Sequence, residues 1–374
     1  MRGKPSKKAT IIEVARRAGV STATAGRVLG SYGYASEAIQ KKVLAAAKAL
    51  GYRPNRLARG FKTGKSQTIG VVAGDIESPF YASLLRGVAD VARAKGFGVL
   101  VTNSDETEGL EREAVELLLE KRVDGLIVSP AAIEASGHLR AALEANCALV
   151  QVDRIVRGLE TDTVVLDNIG AARDCIDRLL RAGHRRIAIV AELGTSSGMD
   201  PASFIKSSYR VADLRHFFPS WQRLAGYVEA HRAVGAPVDA RLIRRVRAYS
   251  AAAAERETVD VLALGDAPTA LFTADGVMST GAMEAIATLG LRVPQDLSLV
   301  CFDDLDWMKF VGAGISAVAQ PAYQMGSAVA ELLLRRIEGE PGPRTHLVLP
   351  AQFLERASIR SLRRKGPGLS ASAG

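Results

Sequence analysis

Short apolar segments alternate with amphipathic segments of helical period from Thr68 onward, and this alternation limits the possible folds most strongly. The first run predicts elements at residues 69–73, 83–95, 99–102, 109–121, 125–128, 134–145 and 149–152. The second run predicts elements at residues 187–190, 221–234, 270–273, 278–289 and 297–302. Strands that alternate with helices of this length form parallel sheets. Two such runs predict an α/β core of two doubly wound lobes, with ligands bound at the carboxyl ends of strands, in the cleft between lobes.

The N-terminal part has a different texture, because residues 10–50 contain short helical segments and no proline. Residues 11–18 predict a first helix, which Gly19 ends in the left-handed conformation. Ser21 is a candidate N-cap for a second helix through residue 29. Ser36 is a candidate N-cap for a third helix through residue 50. Two helices separated by a tight glycine turn, with a third that closes the core, predict a helix-turn-helix unit.

Charge divides along the same line as this texture. Residues 1–66 carry fifteen Lys and Arg side chains but only Glu13 and Glu37, which is a net charge of +13. The remaining residues carry 34 basic and 38 acidic side chains, which is a net charge of −4. A basic head on a mildly acidic body is the electrostatic footprint of a protein that binds a polyanion such as double-stranded DNA.

Several other classes of protein are not indicated. The three cysteines, Cys147, Cys175 and Cys301, have neither disulfide nor zinc-ligand spacing. No apolar region follows the basic N-terminus, and no later apolar run is long enough to cross a membrane, so we expect a cytoplasmic protein. Phosphate-binding glycine loops, nucleophile elbows and metal-ligand clusters are also missing. We therefore expect no enzyme activity, no cofactor and no metal.

Two segments interrupt the regular pattern. Residues 193–220 form a long polar and aromatic connection between a strand and a helix, and structureless loops of this length are usually functional or mobile. We consider two alternatives for it: a lid or rim that contributes to ligand choice, and a mobile surface insertion. Residues 361–374 are basic and then rich in Gly, Ser and Ala, which predicts a disordered tail.

The chain resembles the LacI/GalR family of bacterial transcription factors over nearly all of residues 9–360. The resemblance is carried by residues 10–21, 43–55, 57–69, 121–127, 153–154, 183–187, 223–227 and 300–304. The headpiece and hinge motifs are specific to this family, whereas the core motifs also suit periplasmic sugar-binding proteins. A solute-binding protein is therefore the alternative, although it would need an export signal and would lack a basic headpiece.

The resemblance implies the domain organisation. It divides the chain into a disordered basic arm (1–9), a helix-turn-helix headpiece (10–53), a hinge helix with linker (54–66), a two-lobed periplasmic-binding-protein-like core (67–360) and the tail. It also implies a repressor that acts as a homodimer on a pseudo-palindromic operator and responds to a small effector, most often a sugar. No leucine heptad follows residue 340, so we expect a dimer formed through the core lobes.

The resemblance also implies which residues contact DNA. Thr22, Ala23 and Arg27 occupy base-facing positions, where Arg can bond guanine and the Thr and Ala methyls can contact thymine. Alternatively, Thr22 caps a helix and Arg27 is a solvated charge. Phe61 stands where relatives usually insert a Leu into the minor groove. The remaining predicted DNA-binding residues are Thr10, Ser21, Asn55, Ala58, Arg59 and Lys62. Lys65 is predicted as a further phosphate contact.

For the effector, the resemblance implies a set of aromatic and charged residues in the cleft: Phe80, Tyr81, Asp153, Arg223, Tyr249, Asp275 and Asp303. Carboxylates and arginine hold the hydroxyls of a sugar or polyol, and an aromatic face stacks on its ring. An alternative remains for Asp153 and Asp303, because aspartates at strand ends often cap helices. The position of Asp275 is uncertain by one residue, with Gly276 as the other choice.

Overall fold

The computed structural model describes residues 9–30, 34–52, 65–134, 136–194, 199–207, 209 and 211–362. Two compact units divide the chain between Gln67 and Thr68. The predicted hinge residues Asn55, Ala58, Arg59, Phe61 and Lys62 lie outside the described residues, as do most of the basic arm and the tail.

The N-terminal unit contains the three predicted helices, α1 (Ile11–Ala18), α2 (Thr22–Gly30) and α3 (Glu37–Ala49). Gly19 ends α1 with a φ of 67°, as predicted. Ser21 caps α2, since its Oγ accepts the Thr24 amide at 3.1 Å. Ser36 occupies the N-cap position of α3, but its side chain makes no capping bond. The helices pack around a small core of Val14, Ala15, Ala25, Val43, Ala46 and Ala47.

The first lobe of the core is a six-stranded sheet of order β11-β5-β4-β3-β1-β2, parallel throughout. Its strands are β1 (Thr68–Ala73), β2 (Gly98–Asn103), β3 (Gly125–Val128), β4 (Ala148–Val152), β5 (Asp162–Leu166) and β11 (His346–Leu349). Its helices are α4 (Pro79–Ala94), α5 (Glu108–Glu120), α6 (Gly137–Glu144) and α12 (Ala322–Glu338). Apolar clusters lie on both faces of the sheet, which is the packing of a doubly wound fold.

The second lobe repeats this design with a sheet of order β12-β10-β9-β8-β6-β7, in which only β12 is antiparallel. Its strands are β6 (Ile187–Glu192), β7 (Ile243–Val246), β8 (Ala270–Thr273), β9 (Ser298–Phe302), β10 (Ser316–Ala319) and β12 (Gln352–Leu354). Its helices are α7 (Asn168–Arg181), α8 (Pro201–Lys206), α9 (Pro219–Ala233), α10 (Ala251–Leu262) and α11 (Gly276–Thr288). Apolar clusters again cover both faces.

The chain passes between the lobes three times: after β5, after β10 and after β11. The second passage returns the chain to the first lobe, where α12 packs on α4 and on β3, β4 and β5. Each lobe is therefore built from segments far apart in sequence. The two-lobed α/β architecture predicted from the sequence is confirmed.

Two predictions about local structure are corrected. Helix α4 begins at Pro79 rather than at residue 83, because proline is favoured in the first turn of a helix. Phe80 and Tyr81 therefore lie on the helix rather than before it. The segment 193–220 is not a structureless loop: it contains α8 and a 3-10 helix, Val211–His216. No helix among the described residues is long and apolar enough to cross a membrane.

Candidate functional site

The exposed face of α2 carries the predicted base-reading residues. Thr22, Ala23 and Arg27 are all exposed, whereas Ala25 on the same helix is buried in the headpiece core. Ser21 rather than Thr22 caps the helix. The three side chains are therefore free of the packing that holds the headpiece together, and their contact with DNA stays a prediction.

Thr10 and Ser21, also predicted to contact DNA, take part in helix caps. Thr10 forms a capping box with Glu13, in which its Oγ1 accepts the Glu13 amide and Glu13 accepts the Thr10 amide at 2.7 Å. Such reciprocal bonds satisfy amides that the first turn of a helix leaves unpaired. Both residues thus have a structural role independent of any DNA contact.

A cavity of about 350 Å³ lies between the two lobes, at the carboxyl ends of the strands. All seven predicted effector residues line it. Sequence reasoning missed ten further lining residues: Ser78, Glu106, Ala131, Arg154, Glu192, Gly194, Phe218, Pro219, Ser220 and Gln320. The structure therefore brings the predicted set together, and the binding role of its members stays a prediction.

Asp153 and Asp303 occupy equivalent places in the two lobes. Each follows the third strand of its sheet order, β4 or β9, and each has left-handed backbone, with φ of 67° and 70°. Such a conformation is uncommon outside glycine and is tolerated best by Asp and Asn. Both residues line the cavity, so the backbone strain is retained at the candidate site.

The capping alternative proposed for these aspartates is realised at Asp303. Its Oδ2 accepts the Gly276 amide at 3.0 Å, and its Oδ1 accepts the Gln320 side-chain amide at 2.6 Å. Asp275 is the N-cap of α11 and accepts the Met278 amide at 2.9 Å, and it lines the cavity, whereas its role toward an effector stays a prediction. Burial raises the pKa of Asp275 to about 6. Capping and ligand binding are compatible, since a carboxylate has several acceptor positions.

Arg223 reaches the cavity from the fifth position of α9. Gly226 lets this helix approach α7 closely, because a Cβ there would lie 2.3 Å from the Ile169 carbonyl oxygen. The Arg223 Nε then donates to Asn168 Oδ1 at 2.9 Å and its Nη1 donates to the Ala274 carbonyl at 2.5 Å. The guanidinium also stacks 3.7 Å from the centre of the Phe302 ring. Arg223 is therefore fixed by neutral partners, in an orientation set before any ligand arrives.

Arg154, in the first lobe, is paired with acids instead. Its Nη1 bonds Glu106 Oε2 and the Pro130 carbonyl, and its Nε lies 3.5 Å from Asp153 Oδ2. Its guanidinium lies 5.0 Å from the Phe218 ring centre. Burial raises the pKa of Asp153, as it does the pKa of Glu192. The adjacency of Asp153 and Arg154 was a signal that could have identified Arg154, whereas Glu106 comes from a distant loop.

The aromatic residues differ in availability. Tyr81 is buried and its hydroxyl bonds Ser129 Oγ at 2.7 Å, so its polar end faces protein. Phe80 meets Tyr81 edge-on, with ring centres 5.1 Å apart. The Tyr249 side chain is 49% exposed on the side of the second lobe. Phe80, Phe218 and Tyr249 are the aromatic surfaces that remain for a ligand to contact.

The described parts of the 193–220 segment belong to the second lobe and border the cavity. Phe204 is buried against Trp221 and stacks on Tyr209 with ring centres 4.8 Å apart, which anchors the segment in the core. Gly194, Phe218 and the start of α9 line the cavity. These contacts favour the rim alternative over a mobile surface insertion.

The cavity therefore offers carboxylate acceptors, guanidinium donors and aromatic faces within one small volume. This combination suits a small polyhydroxylated molecule, whose hydroxyls both donate and accept. Among the described residues, no group of three or more His, Cys, Asp or Glu is arranged to hold a metal ion.

Three protein-family models match the chain. Residues 10–55 match the model described as bacterial regulatory proteins, lacI family. Residues 66–203 match periplasmic binding proteins and sugar binding domain of LacI family, and residues 176–359 match a periplasmic binding protein-like domain. The matches follow the boundary between the two compact units.

The chain is similar in sequence and in structure to known transcriptional regulators along most of its length. The HTH-type transcriptional regulator PtxS of Pseudomonas plecoglossicida is 35% identical over 354 residues, covering 94% of this chain and 96% of the relative. The crystal structure of a putative ribose operon repressor from Burkholderia thailandensis matches with a TM-score of 0.65 and 33% sequence identity. The match covers 78% of this chain and 99% of that repressor chain. The lac repressor dimer bound to operator and an anti-inducer shares the fold, with a TM-score of 0.79 at 24% identity, covering 95% and 100%.

Proposed function

The chain belongs to the LacI family of bacterial regulatory proteins and is a DNA-binding transcriptional regulator, and we propose that it is a repressor whose operator affinity is set by a small sugar-like effector bound between its lobes. The observation that carries the effector part is the convergence of all seven predicted residues on one cavity of about 350 Å³. A cavity of this size accommodates a monosaccharide or a derivative of one.

The headpiece supplies the DNA contact in this proposal. Thr22, Ala23 and Arg27 read bases in the major groove from α2, and basic side chains bond phosphates, which position the protein without specifying sequence. The hinge residues carry the minor-groove contact, with Phe61 as the apolar wedge. The dominance of basic residues before residue 67 supports this assignment.

The protein acts as a homodimer through its core lobes. Strand β2 lies at the edge of the first sheet, and Leu100 and Val101 on it are 40% and 46% exposed. Leu110 and Leu117 of the adjacent α5 are also exposed. An apolar edge strand left uncovered favours association with another chain. A two-fold dimer presents two headpieces, which a pseudo-palindromic operator would match.

Effector control acts through the relative orientation of the lobes. The cavity is lined from both lobes, so a bound effector stabilises the orientation in which both sets of residues reach it. The three passages between lobes are the places where such a change would be absorbed. The proposal involves no catalytic step, and a regulator of chromosomal genes would work in the cytoplasm.

Selection of DNA from a random library tests this function. The full-length protein should enrich a pseudo-palindromic sequence, and a chain lacking residues 1–66 should lose specific binding to it while keeping its affinity for the effector within a few fold. Mobility shift at fixed salt and calorimetry measure the two properties, because phosphate contacts make DNA affinity depend strongly on salt. Specific DNA binding by the truncated chain would contradict the division of labour.

A further inference from the structure

The N-terminus of α9 faces the cavity with unused hydrogen-bond donors. Phe218 is the N-cap and makes no side-chain capping bond, while its carbonyl accepts the Trp221 and Gln222 amides at 3.0 and 3.2 Å. Ser220 lines the cavity and is only 8% exposed. Its buried Oγ has no hydrogen-bond partner among the described residues. Its backbone N–H likewise donates no hydrogen bond to any of them. Unpaired buried polar groups are costly, so Ser220 is a position where a ligand is expected to complete the bonding.

Arg223, three residues further along α9, adds a positive charge that forms no salt bridge among the described residues, although Asp153 and Asp275 interact with it at longer range. It is 5% exposed, and no carboxylate oxygen of the described residues lies within 4.0 Å of its guanidinium nitrogens. Its Nε donates to the Asn168 side chain and its Nη1 donates to the Ala274 carbonyl. Among the described residues, Nη2 has no hydrogen-bond partner. Arg154 differs, since Glu106 and Asp153 pair with it. A buried cation without a close anion is unfavourable, and a ligand carboxylate would supply that anion.

We propose that the effector is a sugar acid, and that its carboxylate binds at the N-terminus of α9 between Ser220 and Arg223. This inference rests on the proposed function, because it concerns the ligand of the same cavity. The helix N-terminus favours an anion through its dipole. The hydroxyls of the ligand then bond the aspartates of the cavity wall, Asp275 and Asp303 among them.

The charge of the cavity decides between a carboxylate and a phosphate ester as the anionic group. Five carboxylates line it against two guanidinium groups: Glu106, Asp153, Glu192, Asp275 and Asp303 against Arg154 and Arg223. A phosphate monoester carries a charge of about −1.5 to −2 at neutral pH, whereas a carboxylate carries one. The surplus of acidic groups repels the larger charge more, so the carboxylate is favoured.

Calorimetry on the full-length protein with matched ligands tests this proposal. The probes are D-gluconate, D-galactonate and D-mannonate, the corresponding hexitols, which replace the carboxylate by a hydroxymethyl group, and the corresponding hexose 6-phosphates. At least one hexonate should bind about tenfold or more tightly than its hexitol, because hydrogen bonds to a charged group are the stronger ones. A hexitol that binds as tightly as its hexonate would overturn the proposal and leave the repressor function intact.

Substitutions at Ser220 locate the carboxylate. Ser220→Ala should weaken the hexonate about tenfold and the hexitol by less than about threefold, since only the hexonate gains a charge-assisted bond. Ser220→Asp should abolish hexonate binding by repulsion and spare the hexitol. Ser78→Ala is the matched control, because Ser78 also lines the cavity at a helix N-terminus, that of α4, without a capping bond. It should change both affinities in the same proportion.

The other possible outcomes of these binding measurements each contradict a different part of the proposal. Equal losses for hexonate and hexitol in Ser220→Ala, or a selective loss in Ser78→Ala instead, would show that the carboxylate does not bind at α9. Tighter binding of a hexose phosphate than of every hexonate would overturn the choice of carboxylate. Binding of none of the probes, in a protein that still selects an operator, would remove both the sugar-like effector and this inference. Thermal unfolding checks that each variant is folded.

Discussion

In the headpiece, the side chains predicted to read DNA are exposed on α2, and the unit is held together by other residues such as Val14 and Val43. In the core, the candidate ligand residues are themselves part of the framework. Arg223 ties α9 to Asn168 and to the Ala274 carbonyl, and Asp303 caps α11. The headpiece therefore separates recognition from stability, whereas the core uses the same side chains for both.

This difference follows from what each unit binds. DNA is large and outside the fold, so contacts can be made by exposed side chains without burying charge in the free protein. A small ligand is enclosed, and the polar groups that meet it must be buried and oriented beforehand. Substitutions should accordingly have separable effects in the headpiece and coupled effects in the core.

The largest coupled effect is expected at Arg223. Arg223→Ala should abolish the response of operator binding to the effector and lower the free energy of unfolding of the core by about 2–4 kcal/mol, because it leaves Asn168 and Ala274 without their donor. Urea unfolding and calorimetry measure the two effects. Gln222→Ala is the control at the neighbouring position of α9: Gln222 donates to the Phe217 carbonyl and accepts from the Asn168 side-chain amide but does not line the cavity, so the variant should lower stability and keep the effector response. A loss of ligand response without any loss of stability would break the comparison.

Arg27→Ala should show the opposite behaviour. Discrimination between operator and random DNA should fall by about 1–3 kcal/mol, because a bidentate contact to guanine is lost. The free energy of unfolding should change by less than about 0.5 kcal/mol, since the side chain is exposed. Competition titration against random DNA measures the first quantity and urea unfolding the second.

Arg17→Ala on α1 is the matched control, because Arg17 is also exposed but is not among the predicted base-facing residues. It should weaken operator and random DNA alike, if it has any effect. A uniform loss on both DNAs in Arg27→Ala would instead make Arg27 a phosphate contact.

The sequence predicted local structure well where a local rule determines it. Helix α1 has the predicted bounds, with its end at Gly19, and β3 and β8 also begin and end where expected. The sequence pattern did not predict the helices α7, α8, α10 and α12 or the strands β5, β7, β10, β11 and β12. Strand β11 pairs with β5 across about 180 residues, and no local pattern carries that information. Phe204 was read as part of a loop because its partners, Trp221 and Tyr209, come into contact only in the fold.

The candidate site divides in the same way. Asp153 and Asp303 could be predicted because the resemblance to the LacI/GalR family implied them, and both follow the carboxyl ends of parallel strands, which border the cleft in such folds. Glu106 and Gln320 could not, since their place in the cavity depends on which loops and crossings meet there. The unpaired state of Ser220 is a property of three-dimensional packing alone.

An effect that is predicted to appear only above a certain pH comes from Asp275, which belongs both to the framework and to the cavity wall. Burial raises the pKa of Asp275 to about 6, so protonation stabilises the folded state. Its contribution is full below about pH 4 and is lost as the pH rises through 6, and it corresponds to at most about 3 kcal/mol. Asp275→Asn keeps the N-cap of α11 but cannot ionise. The variant should therefore be about 1–3 kcal/mol more stable than the natural protein at pH 7.5, and the difference should fall to about 1 kcal/mol or less at pH 4.5, as measured by urea unfolding. The same difference at both pH values would show that Asp275 carries no such cost, and would remove one case in which the core gives up stability for a ligand contact.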